Sequence, residues 1–270
     1  MKAERDILVV DDELVITQAV VRVCGAEGMT VDVAESAAAA LARLATCTYR
    51  LIICDVMMAD VDGFGFLAEV ARKGIRTPVI MSTGMSTVEN AVKALYCGAV
   101  DFMAKPFTAD ELLAAVRRGL SYGKLQASAS AGATKAGGRP ATLAWVPCPA
   151  KYYRLGYVSW VSVERVGTVL VGVSDLFLKT VDPIQSVTLA TAPGELVQGT
   201  TCATITGVDG AVHGVLSPVS GRIVEANGAV ESAPAMMERD PYFEGWLYRV
   251  VPSALEYDLK QLISCSSDRL

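Results

Sequence analysis

The run Leu51-Ile52-Ile53-Cys54-Asp55 constrains the fold of this chain more than any other stretch. Four successive apolar residues without alternation read as a strand covered on both faces, as in a parallel sheet. A carboxylate that ends such a strand lies at the carboxyl edge of the sheet, where open α/β folds place their ligands. Three other pieces end strand-like runs in the same way. They are Asp11 and Asp12 after Ile7-Leu8-Val9-Val10, Thr83 after Val79-Ile80-Met81, and Lys105 after Val100-Asp101-Phe102-Met103. Strand patterns at 6–10, 30–34, 50–54, 78–82 and 99–103 alternate with amphipathic helical patterns at about 13–26, 36–46, 62–73, 86–97 and 108–122. Five strands, each followed by a helix, imply an α/β domain with a five-stranded parallel sheet wound on both faces.

A chain of 270 residues has room for a second domain. The pattern changes twice after residue 123. Residues 124–142 carry Ala127-Ser128-Ala129-Ser130-Ala131-Gly132-Ala133-Thr134 and Gly137-Gly138-Arg139-Pro140, with no hydrophobic period, and read as a flexible tether. An Ala-rich extension of the preceding helix is the alternative. Residues 143–270 alternate at period two, as in Val169, Val171 and Val173, with frequent Gly and Pro. That pattern predicts an all-β barrel or sandwich, closed by a helix at about 253–264.

Composition limits the chemistry. Mean hydropathy is +0.38, yet apolar runs end after about four or five residues, well short of the roughly 18 of a membrane span. Met1-Lys2-Ala3-Glu4-Arg5-Asp6 leads straight into a strand without a signal-peptide core, so a soluble cytoplasmic protein is expected. Seven cysteines show neither close pairs nor metal-ligand spacing. Cys24, Cys47, Cys54 and Cys97 fall on apolar faces or strand ends, as small buried thiols do in a reducing compartment. A single histidine, His213, argues against a phosphohistidine donor of the chain's own, so any phosphoryl group is expected to come from another molecule. Residues 1–123 hold 12 basic and 16 acidic side chains and residues 143–270 hold 9 and 13, which argues against a nucleic-acid surface in either.

The first 123 residues resemble the receiver domain of bacterial response regulators, a flavodoxin-like fold. The resemblance rests on Val9-Val10-Asp11-Asp12-Glu13, Asp55-Val56-Met57-Met58-Ala59-Asp60-Val61-Asp62-Gly63, Pro78-Val79-Ile80-Met81-Ser82-Thr83-Gly84 and Gly98-Ala99-Val100-Asp101-Phe102-Met103-Ala104-Lys105-Pro106-Phe107, in family order. Three converging carboxylates repel one another and suit a hard divalent cation; Mg²⁺ takes oxygen ligands and keeps waters that phosphoryl oxygens can replace. Asp55 is then placed to attack a phosphoryl donor and form an acyl phosphate. The resemblance implies that Asp12, Asp55 and the Met57 carbonyl ligate Mg²⁺, with Asp11 acting partly through water. It also implies a cis Lys105–Pro106 bond and a phosphoryl-binding and switching group of Thr83, Gly84, Lys105 and Phe102. Thr83 would turn to the phosphoryl group while Phe102 turns inward. Plain alternatives are a surface lysine, a helix-capping threonine and a core aromatic. Met57 and Met85 stand two residues after Asp55 and Thr83, where polar residues are frequent in the family. This apolar pair is expected to exclude water and slow loss of the phosphoryl group. The implied partners are a histidine kinase or phosphotransfer protein, with phosphorylation-dependent pairing of two copies through the face that carries Phe102.

Residues 143–264 resemble, more distantly, the H protein of the glycine cleavage system, a lipoyl-type β fold. The matching pieces are Val158-Ser159-Trp160-Val161, Val171-Gly172-Val173-Ser174-Asp175, Ser217-Pro218-Val219-Ser220-Gly221-Arg222-Ile223-Val224-Glu225-Ala226-Asn227 and Glu238-Arg239-Asp240-Pro241-Tyr242-Phe243-Glu244-Gly245-Trp246-Leu247. The family's working residue is a lysine at a hairpin tip shortly before the Pro-Val-Ser-Gly motif. Here that stretch reads Gly207-Val208-Asp209-Gly210-Ala211-Val212-His213, with a turn at Asp209-Gly210 and no amine. No lipoyl group is expected, Lys151, Lys179 and Lys260 lying far away in sequence, and His213 reads as structural. A response regulator with a protein-binding output domain is the leading expectation. A lipoyl carrier under receiver control and a transcriptional regulator are the competing ones.

Overall fold

The computed structural model describes residues 3–59, 61–85, 87–133, 144–165 and 167–267. In the N-terminal part, strands β1 (Ala3–Val10), β2 (Val31–Ala34), β3 (Cys47–Asp55), β4 (Val79–Thr83) and β5 (Asp101–Ala104) form one parallel sheet. Between and after them come α1 (Leu14–Ala26), α2 (Ala37–Thr46), α3 (Gly63–Arg72), α4 (Val88–Tyr96) and α5 (Ala109–Ala133). The strand order is β2-β1-β3-β4-β5. One crossover leaves β1 in one direction and the rest in the other, so right-handed connections carry the helices to opposite faces. This is the doubly wound sheet that the buried strand runs predict. Ile7, Leu8, Val10, Leu51, Ile52, Cys54, Ile80 and Met81 are wholly buried, which is why those runs carry no alternation.

Three elements are longer than their patterns, among them β1, which begins at Ala3 and not at residue 6. β3 begins at Cys47, immediately after α2, and pairs with the start of β1 from Ala3↔Cys47 onward. α5 runs to Ala133, so residues 124–133, expected as part of a flexible tether, are helical. Ala has the best intrinsic helix propensity, and the preceding turns already supply a nucleus that Gly123 and Gly132 do not break. The remainder of the expected tether, residues 134–142, lies outside the described residues.

The C-terminal part is antiparallel. Its first elements are β6 (Tyr153–Leu155), β7 (Ser159–Val163), β8 (Val169–Val173), α6 (Asp175–Leu178), β9 (Ile184–Leu189), β10 (Glu195–Leu196), β11 (Thr201–Gly207) and β12 (Val212–Leu216). β13 (Gly221–Ala226), α7 (Gly228–Ser232), α8 (Ala235–Arg239), β14 (Trp246–Pro252), α9 (Leu255–Leu259) and β15 (Ile263–Ser264) complete it. A seven-stranded sheet in the order β10-β13-β14-β8-β7-β6-β15 is joined by a three-stranded sheet, β12-β11-β9. Two side chains tie them. The Tyr248 hydroxyl donates to the Cys202 carbonyl and accepts from the Ala190 N–H, both at 2.6 Å. Ser159 donates to the Leu216 carbonyl at 2.6 Å. The closing helix expected over 253–264 is only Leu255–Leu259, because Ile263 and Ser264 pair with Arg154 and Tyr153 as a strand. No described helix is long and apolar enough to cross a membrane.

Candidate functional site

β1 and β3 are neighbours at the point where the strand order reverses, the place where helices diverge and leave a crevice at the carboxyl edge. Asp11 and Asp12 follow β1 directly, and Asp55 ends β3. One carboxylate oxygen from each of the three lies within 4.8 Å of the others. Asp11 and Asp55 are buried and Asp12 is exposed. Beyond β5, Lys105 turns its ammonium into this group. Its Nζ lies 2.8 Å from Asp11 Oδ2, 2.8 Å from Glu13 Oε1 and 3.2 Å from Asp55 Oδ1, and its side chain is only 6% exposed. The surface-lysine alternative is therefore wrong. The Lys105–Pro106 bond is cis.

Burial raises the proton affinity of both Asp11 and Asp55, and the neighbouring Lys105 works against it. Burial also disfavours the charge on Lys105. Hydrogen bonds to Asp11 and Glu13 and the charges of Asp11 and Asp55 outweigh that, holding the ammonium above its usual range. Asp55 Oδ1 is buried and lies 3.2 Å from the Lys105 ammonium, and it meets no further polar partner among the described residues. A hard divalent cation fits such a donor set: three carboxylates, oxygen atoms only, and a buried Asp55 oxygen that only the Lys105 charge faces.

Thr83 is wholly buried at the end of β4. Its carbonyl accepts the Lys105 N–H at 2.8 Å and its hydroxyl accepts the Met85 N–H at 3.1 Å. The hydroxyl therefore closes the turn after β4, while α4 starts only at Val88. Gly84, next along, is exposed. Phe102 is half-buried on β5 opposite Met81. Met57 and Met85 are 56% and 59% exposed, so neither belongs to the core. Cys24 and Cys54 are buried as expected, but Cys97 is exposed. Burial pushes the Cys24 thiol up to about 11, far from a reactive thiolate.

Three features of the site were not assigned from sequence. Glu13 supplies a third carboxylate to Lys105, although it reads only as the tail of an acidic triplet. Ser82 faces Asp55 across the β3–β4 register, and its buried Oγ has no hydrogen-bond partner among the described residues. Gly63 donates its N–H to the Val56 carbonyl, and a Cβ there would strike the Asp55 carbonyl oxygen and the Val56 backbone. Only glycine lets the loop after β3 fold back this tightly over the Asp55 peptide.

In the C-terminal part, the Pro-Val-Ser-Gly motif is held from two sides. Gln198 donates through Nε2 to the Pro218 and Asp258 carbonyls at 2.9 and 3.1 Å, and its N–H reaches the Ser220 hydroxyl at 3.0 Å. Asp258 Oδ2 accepts the Ser220 N–H at 2.7 Å. The β11–β12 hairpin turns at Asp209-Gly210, with Gly210 at φ 81° and the Ala211 N–H on Asp209 Oδ1 at 3.0 Å. His213 is buried on β12 opposite Ile205.

A doubly wound parallel sheet with this acidic crevice and buried lysine is the architecture of a receiver-type α/β domain, and the antiparallel part has that of an H-protein-like domain. Family comparison agrees for both parts: residues 7–117 are a response regulator receiver domain, and residues 151–268 match the model of the glycine cleavage H-protein. Receiver domains hold Mg²⁺ in an acidic pocket, and Asp11, Asp12 and Asp55 form that cluster here. Among curated relatives, the transcriptional regulatory protein ZraR of Escherichia coli is 38% identical over 120 residues, 43% of this chain and 26% of that protein. The transcriptional regulatory protein TcrA of Mycobacterium tuberculosis is 38% identical over 111 residues, 41% of this chain and 44% of that protein. The chain thus spans less than half the length of either. Among solved structures, the receiver domain of NtrX from Brucella abortus is 38% identical with a TM-score of 0.41, covering 43% of this chain and 98% of that one. A glycine cleavage system H protein from Mycobacterium marinum is 27% identical with a TM-score of 0.40, covering 44% and 94%.

Proposed function

We propose that the chain is a two-component response regulator that takes a phosphoryl group onto Asp55 from a histidine kinase or phosphotransfer protein. The observation that carries this reading is the cluster of Asp11, Asp12 and Asp55 with Lys105 paired into it. Asp12, Asp55 and the Met57 carbonyl would hold Mg²⁺, with Asp11 reaching it partly through water; the ion supplies charge neutralisation for the carboxylates and the incoming phosphoryl oxygens. An Asp55 carboxylate oxygen forms the new P–O bond as the P–N bond to the donor histidine breaks. Lys105 then exchanges part of its carboxylate pairing for a phosphoryl oxygen. Thr83 gives up the Met85 N–H to donate its hydroxyl to the same group, and Phe102 turns inward behind it, with Gly84 leaving room at the turn. Met57 and Met85 shield the acyl phosphate from water.

In this reading residues 1–123 are the phosphoacceptor, 124–142 the connection, and 143–270 a binding module that docks a protein partner. The hairpin that would carry a lipoyl lysine has Asp209-Gly210 at its tip, which supports a module without the carrier chemistry. Its 9 basic and 13 acidic residues favour a protein contact over DNA. The chain turns over no substrate of its own; its chemistry is gain and loss of the phosphoryl group.

The test uses the full chain with Mg²⁺ and a small phosphodonor such as acetyl phosphate. Wild type should gain one acid-stable, base-labile phosphoryl group, and Asp55→Ala none. Equal labelling of both would sink the assignment. Intact mass of protein made in a lipoylation-competent host should show no lipoyl adduct; an adduct would restore the carrier reading. Met57→Asn with Met85→Glu should shorten the phosphoryl lifetime, and an unchanged lifetime would remove the shielding role.

A further inference from the structure

At the opposite edge of the sheet from Asp55, a cleft of about 380 Å³ opens between the starts of β3 and β4 and the far half of α5. Arg50, Arg76 and Lys124 line it, and among the described residues no carboxylate does. Arg50 is matched by Asp6, and Arg76 and Lys124 add two further cations to the lining, a local reversal of sign in a chain of net charge −5. Asp6 holds Arg50 Nη1 at 2.6 Å, fixing that guanidinium at one wall. Arg76 and Lys124 are exposed. Apolar groups from Pro78, Leu120 and Ala127 complete the lining.

The helical extension builds this cleft. Lys124 and Ala127 lie beyond Gly123, in the stretch that a shorter α5 would lack. A Cβ on Gly123 would come within 3.3 Å of Pro78, so the glycine lets the helix close against the strand edge. Because α5 continues to Ala133, the cleft sits on the flank of a helix and not at its carbonyl end, where the dipole would oppose an anion.

We propose that this cleft binds a small organic phosphate, its phosphoryl oxygens on Arg76 and Lys124 and its organic part on Pro78, Leu120 and Ala127. Guanidinium and ammonium groups together suit a multiply charged group with several acceptor oxygens. The volume matches the lower end of small-molecule pockets. Three cations without a basic stripe do not make a nucleic-acid surface.

The test titrates ADP into the full chain carrying Asp55→Ala, in chelator without Mg²⁺, so that the acidic pocket contributes nothing. Amide resonances of Gly123, Lys124 and Ala127 should shift and saturate. Arg76→Gln and Lys124→Gln should each weaken binding by about tenfold, the loss of one charge-assisted contact. Ala127→Phe keeps every charge, fills the cleft and should weaken binding as well. No movement of these amides, or unchanged affinity in all three variants with native circular dichroism, would overturn the proposal.

Discussion

Lys105 meets three carboxylates at once, and two of them are themselves buried. Removing its charge leaves Asp11 and Asp55 facing each other in a desolvated crevice, a loss of about 3 kcal/mol or more for a buried pair broken on one side. Lys105→Gln should therefore lower the melting temperature in chelator. Added Mg²⁺ should raise it by more than in wild type, since the ion meets carboxylates that no ammonium neutralises. At about ten times its Kd the ion contributes roughly 1.4 kcal/mol to whichever form binds it. Equal Mg²⁺-induced shifts in the two proteins would contradict this account of the site. Asp258 offers a pH readout in the other domain. Burial raises its carboxyl above the ordinary 3.8, with the Ser220 N–H opposing. A raised folded value stabilises the fold at pH below 3.8 and withdraws that stability as pH climbs through the raised value. Asp258→Asn removes this titration, so stability measured by denaturant should fall less steeply on the alkaline side of 3.8. An unchanged slope would show that the burial of Asp258 carries no such linkage.

Among the elements, β7 and β8 show how one small residue sets a packing arrangement. Trp160 is fully buried and stands opposite Gly172 in the antiparallel register. Its indole donates to the Val173 and Pro241 carbonyls at 3.0 and 3.2 Å. Tyr152 and Tyr242 flank it at ring-centroid distances of 5.0 and 6.0 Å. A Cβ on Gly172 would enter the Trp160 ring. Gly172→Ala should cost about 1–3 kcal/mol through overpacking and should shift the Trp160 fluorescence; a neutral substitution would mean the ring has other room. Strand and helix existence was legible for every element of the receiver part, because buried runs and amphipathic helices carry strong periods. Element ends were not. α5 outran its hydrophobic stripe because Ala-rich sequence propagates a helix without needing a core face, and the C-terminal helix fell short because Ile263 and Ser264 found a strand partner in β6.

For the molecule as a whole, phosphorylation of Asp55 should favour pairing of two chains through the face that carries Phe102. Sedimentation with and without a phosphoryl mimic such as beryllofluoride measures this, and identical profiles would count against it. The order of motifs in the chain was enough to place Asp11, Asp12, Asp55, Thr83 and Lys105 at strand ends on one edge of a sheet, because buried parallel strands are readable from their composition and connections between them have one hand. It was also enough to show that the hairpin at Asp209-Gly210 has no lysine. Only the tertiary structure decided that Lys105 is buried against Glu13 as well as the two aspartates, that Ser82 lies beside Asp55 with its hydroxyl unpaired among the described residues, and that Arg50, Arg76 and Lys124 share a cleft. Those facts depend on which side chains meet across strands and helices far apart in the chain. Local periodicity records the face a residue points to, and the fold alone sets what stands opposite.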